Sequence, residues 1–107
     1  MISSTNGIIS NISSTIEPPP LSIRDVIFAP AEYFKQIVSI GGTIVLLDVD
    51  LGRMDISSGG AKIMVDISQI EKHSLDILQV LVEVIVTGYV KKQQRRTFFS
   101  AISVEIE

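Results

Sequence analysis

The densest chemistry in this sequence is Lys91-Lys92-Gln93-Gln94-Arg95-Arg96, four cations within six residues. Such a run suits the phosphates of a nucleic-acid strand. Tyr89 and Phe99 flank it and supply the flat rings on which bases stack. Arg53 and Lys62 add cations further upstream, but Asp48, Asp50, Asp55 and Asp66 flank them and repel phosphate. The chain as a whole carries a net charge of −3, so only a local patch can serve, and weak intrinsic affinity for single-stranded DNA is expected. Asp48-Val49-Asp50-Leu51-Gly52 begins like a calcium loop, yet Gly59 stands where the closing glutamate is required. There is no Cys, and His73 is the one histidine. Its expected place is the exposed side of a helix. No nucleophile–base pair or phosphate-binding loop assembles, so catalysis, a metal and a cofactor are not expected.

These residues need a scaffold. Of 107 residues, 46% are hydrophobic and 29 are Ile or Val, a β-branched excess that suits pleated strands. Residues 1–20 read as a flexible tail, with seven Ser or Thr before Pro18-Pro19-Pro20. Residues 21–107 read as one domain. No secretory signal or membrane-spanning run stands out, so a soluble intracellular protein is expected.

Within the domain, Pro30 to Val38 reads as a short helix ended by Gly41-Gly42. From Thr43 the hydrophobic period becomes two. Three strands follow: from Thr43, with Val45, Leu47, Val49 and Leu51 on one face and Ile44, Leu46, Asp48 and Asp50 on the other; over Arg53–Ser57 with Met54 and Ile56 inward; and over Ala61–Ser68 with Ala61, Ile63, Val65 and Ile67 on one face. Ser57-Ser58-Gly59-Gly60 is a turn. Gln69–Gln79 reads as a helix of two to three turns, capped by Ser68 with Glu71. The fourth strand sets Val80, Val82, Val84, Val86, Gly88 and Val90 on the core face, although Val80 and Leu81 could equally close the preceding helix. The fifth sets Phe98, Ser100, Ile102, Val104 and Ile106 there. Matching core face to core face requires a three- or five-residue loop in the last hairpin.

Three strands, a helix and two more strands is the order of the OB-fold, an all-β five-stranded barrel with two short helices here and one of them between strands three and four. In that arrangement Ile44, Leu46, Leu81, Ile85, Tyr89 and Phe99 form an outward apolar band, which a lone protein seldom leaves bare. The basic loop falls between strands four and five, where OB-folds commonly meet single strands, so Arg53, Lys62, Lys91, Lys92, Arg95 and Arg96 are the candidate nucleic-acid contacts.

Three stretches carry a family resemblance: Pro30–Val38 leading into Gly41-Gly42-Thr43-Ile44-Val45-Leu46, then Ala61–Asp66, then Val82–Val90. With them the chain resembles the Ten-one family, the smallest subunit of the CST telomere-capping complex, and next the smallest subunit of replication protein A. Two features depart from that pattern: the serine-rich head, and the end of the sequence at Glu107 without the C-terminal helix such subunits usually carry. The resemblance implies a non-enzymatic subunit at nuclear, telomeric chromatin. It would dock on a larger OB-fold partner and meet single-stranded DNA weakly or through the complex, with no membrane involved; the alternatives are a standalone single-stranded nucleic-acid-binding module using the basic loop and its aromatics, or a self-associating structural protein whose apolar face pairs with its own copy.

Overall fold

The computed structural model describes residues 20–107. All but the last residue of the expected tail lies outside the described residues. Chain entry is fixed at Leu21, whose backbone N–H donates to the Ser39 carbonyl at 2.8 Å. Ser22 then caps a helix, α1 (Ile23–Phe28), its Oγ accepting from the Asp25 N–H at 3.0 Å. Ile23 and Val26 are fully buried and plug one end of the core. Sequence reading did not anticipate this helix.

The expected helix over Pro30–Val38 is only a 3-10 turn, Pro30–Tyr33. Phe34 is already extended and Lys35 takes a positive φ of 66°, so the helix cannot continue. The first strand, β1 (Ile37–Asp48), therefore starts six residues before Thr43. Gly41 and Gly42 lie inside it, paired with Ile85 and Val84, and do not end a helix.

The remaining elements are β2 (Arg53–Ser58), β3 (Ala61–Asp66), a single helical turn α2 (Lys72–Leu75), β4 (Glu83–Gln93) and β5 (Arg96–Ile106). They close a barrel in the order β1-β2-β3-β5-β4. Most pairings are antiparallel. The parallel β3–β5 contact, with Met64 opposite Phe98, closes the ring. This is the expected OB-fold. β1 serves two neighbours in turn, β4 along Ile37–Thr43 and β2 from Thr43 onward.

Two bulges set which side chains face inward. In β1 the pairing with β2 shifts between Ile44 and Leu46. The extra residue lets Ile44 sit fully buried while Val45 and Leu46 are exposed. Between β4 and β5 the register shifts beyond Gly88, so that Gly88 meets Ala101 but Thr87 meets Ser103, leaving Ile102 unmatched. The hairpin loop is the two-residue Gln94-Arg95, both with positive φ (50° and 69°), and Gln93 pairs with Arg96. This replaces the expected three- or five-residue loop. Up to the bulge the core face of β5 is Phe99 and Ala101, both fully buried, and not Phe98 and Ser100. Beyond it Val104 packs against the core opposite Val86, but Ile102 and Ile106, expected on the core face, are 50% and 47% exposed.

Met54, Ile56, Ile63, Val65, Ile67, Val84, Val86 and Val90 are buried as expected and Val82 is packed against them, whereas Val80 precedes β4 and is 50% exposed. The Gln69–Gln79 helix is much shorter than expected, and Leu75 and Leu78 carry its burial while Ile77 faces out. Ser68 does not cap it. The Ser68 N–H instead donates to Asp66 Oδ1 at 2.9 Å.

Candidate docking face and nucleic-acid interface

The outer surface where β1 meets β4 is written by register. Ile37 stands opposite Tyr89, Ser39 opposite Thr87 and Gly41 opposite Ile85. Ser39 Oγ and Thr87 Oγ1 lie 2.8 Å apart and share a hydrogen bond. With Leu21 and Tyr33, the residues Ile37, Val38 and Ile85 line a groove of about 670 Å³. Ile37 is 57% exposed and Ile85 and Tyr89 are half-buried.

Of the six residues expected in an apolar band, two belong to the core. Ile44 and Phe99 are fully buried, because each bulge shifts the parity that assigned them outward. Tyr89 stands opposite Ser100, not Phe99. Leu46 is exposed near the far end of β1, and Leu81, 77% exposed, sits on a loop with φ 78°. The band is not continuous. Thr43 and Glu83 pair between Ile85 and Leu81, Glu105 stands opposite Ile85, and the Glu107 N–H donates to the Glu83 carbonyl. Sequence reading missed Ile37, although the alternation Val38, Ile40, Gly42, Ile44 already runs at period two through the presumed helix end.

The six candidate nucleic-acid residues divide three ways. Arg53 enters a cleft of about 730 Å³ beside Leu51, Met64, Asp66, Arg96 and Phe98. There its Nε donates to Asp55 Oδ1 at 3.3 Å, so its charge is already matched. Lys91 shares the outer face of β4 with Tyr89 and stands opposite Phe98. Lys62, Lys92, Arg95 and Arg96 come together in a second hollow, of about 620 Å³, against the C-terminal end of α1. Phe28, 87% exposed, forms part of its wall. The ring placed near the cations is therefore Phe28 there and Phe98 in the cleft, not the expected Tyr89–Phe99 pair.

No protein-family model matches the sequence, and no curated protein resembles it closely enough to count as a relative. Solved structures do share its fold. A hypothetical protein of E. coli, ygiW, superposes with a TM-score of 0.63 at 15% identity, covering 84% of this chain and 91% of that one. The S. pombe Stn1-Ten1 complex contributes a chain with the same TM-score, 0.63, at 12% identity, covering 86% of this chain and 78% of that one. At such identities the likeness is one of fold, and it places the chain among OB-folds.

The remaining chemical candidates have structural duties. Asp48 Oδ1 accepts from the Leu51 N–H at 3.1 Å and so shapes the β1–β2 loop. His73 lies on the exposed side of α2, as expected, with its Nε2 3.1 Å from Glu71 Oε2. Among the described residues no three His, Asp or Glu side chains converge as a metal set.

Proposed function

We propose that this chain is a non-enzymatic small OB-fold subunit. It docks on a larger OB-fold protein in a complex that holds single-stranded DNA at telomeric chromatin in the nucleus. One observation carries the reading: on the outer face of β1 and β4, Ile37 is 57% exposed beside half-buried Ile85 and Tyr89, with Ser39 and Thr87 between them and Glu105 at the edge. A barrel with no free edge and a filled core has little other use for exposed isoleucine at this place. The fold shared with a chain of the S. pombe Stn1-Ten1 complex supports the same reading. Burying that face would stabilise the partner's assembled state by mass action.

Affinity capture from cell extract followed by mass spectrometry tests it. The full chain is expected to retain an OB-fold protein together with single-stranded DNA. Ile85→Asp should reduce that recovery at least tenfold while circular dichroism stays unchanged, because Ile85 is not in the core. Undiminished recovery with the Asp variant, or capture of no OB-fold protein by the unaltered chain, would overturn the proposal.

A further inference from the structure

The basic hollow points to a contact that the docking role does not require. We propose that the hollow between α1 and the β4–β5 hairpin binds the phosphate backbone of single-stranded nucleic acid directly, with Phe28 stacking on a base.

Three observations carry this. First, Lys62, Lys92, Arg95 and Arg96 line one hollow with no carboxylate among its lining residues. The ion pairs among the described residues are Arg53–Asp55 and Glu71–His73, so all four cations are free to meet phosphate. In a chain of net charge −3, a wall whose charged residues are all cations concentrates the positive field at one place. Second, Phe28 leaves its ring almost wholly in water beside them. A flat apolar ring next to cations suits a base above a phosphate run. An acidic peptide would use the charges and leave the ring idle. Third, the cleft over β2 and β3 is poorly suited to the same task. Its Arg53 is held by Asp55, and Asp66 lies in its wall. Arg96 lines both hollows and so stands where the cleft gives way to the basic hollow. Lys62 lines this hollow, whereas Asp66, four residues along the same face of β3, lines the cleft.

Fluorescence anisotropy of the full chain with a labelled twelve-nucleotide oligo-dT, from 25 to 200 mM salt, tests the site. Four phosphate contacts on a single strand give a slope of log K against log salt of about −3. Arg95→Gln with Arg96→Gln should flatten that slope by about 1.4. Phe28→Ala should weaken binding about tenfold with little change in slope. Arg53→Gln should leave affinity unchanged, and so should Ile85→Asp, which separates this contact from docking. Absence of binding at 25 mM salt, or binding indifferent to the hairpin and Phe28 variants, would overturn the proposal. So would tighter binding to a poly-glutamate peptide or to phosphatidylserine vesicles than to oligo-dT.

Discussion

Gly88 shows how strictly single positions are held. It sits on β4 where the register shifts, and a Cβ added there would fall on the Ser100 carbonyl oxygen. The obstacle is backbone, which cannot rotate aside. Gly88→Ala should therefore destabilise the barrel by about 1–3 kcal/mol, as overpacking in a filled core does. The midpoint of urea unfolding reads this directly, and an unchanged midpoint would mean that the two strands separate freely there. Asp55 illustrates a second kind of constraint. It is the one buried charged residue among those described, and Arg53 beside it supplies the compensating cation. The pair therefore belongs to the barrel wall first, which is why the cleft above it has a neutralised cation.

Among the elements, α1 has the largest effect for its size. Six residues insert Ile23 and Val26 into the open end of the barrel, and Arg24 Nη2 reaches across to donate to the Gly59 carbonyl at 2.6 Å. Ser22→Ala removes the cap and should cost about 1 kcal/mol, or roughly 5 °C in Tm for a domain of this size. Thermal unfolding followed at 218 nm measures it. Element types were legible in the sequence wherever alternation ran unbroken. β2, β3 and β4 could be read because Met54 to Ile56, Ile63 to Ile67 and Val82 to Val90 hold period two without interruption. β1 and β5 could not be read to the same depth, since each contains a bulge that no side chain announces. One extra residue turns Ile44 and Phe99 inward, and a parity argument has no means to detect it. The hairpin tip hid its length for a related reason. A two-residue loop with positive φ usually shows Asn-Gly or a similar pair, whereas here Gln94-Arg95 adopts it. α1 left one readable trace, Ser22 followed three residues later by Asp25, next to a proline run that dominates the local composition.

At the scale of the whole molecule, the barrel gathers its cations and its carboxylates at different places, with Glu105 also lining the groove that holds Ile37 and Ile85. Glu83, Glu105 and Glu107 gather at the end of β4 and β5, four cations gather near the other end of the same hairpin, and the apolar Ile37–Ile85 groove lies on the outer face of β1 and β4. Half of the candidate site was visible as residue types in sequence. Lys92, Arg95 and Arg96 are adjacent in the chain, and Ile85 and Tyr89 share a strand face. The places of Phe28 and Ile37 depend on closure, which brings α1 beside the hairpin and sets β1 against β4. The sorting makes the two surfaces independent. Leu46→Asp, on an exposed stretch of β1, should leave the fold intact, whereas Ile44→Asp, one bulge away, should unfold it, and a comparison of their circular dichroism spectra checks the bulge itself.

Pro20 and Glu107 line the same small hollow, alongside Ser22, Gly41 and Glu83. The polypeptide thus leaves the barrel close to where it came in. A short bridge of a few residues could join those two points, and the ring could be reopened between Gly59 and Gly60, an exposed turn with positive φ at both residues. Such a circular permutant keeps every strand neighbour and gives up one local connection. Gly59 lines that same hollow and its carbonyl accepts from Arg24 of α1, so the new ends would emerge beside the bridge, at residues that do not line the Ile37–Ile85 groove, and a label or a fusion could be attached there.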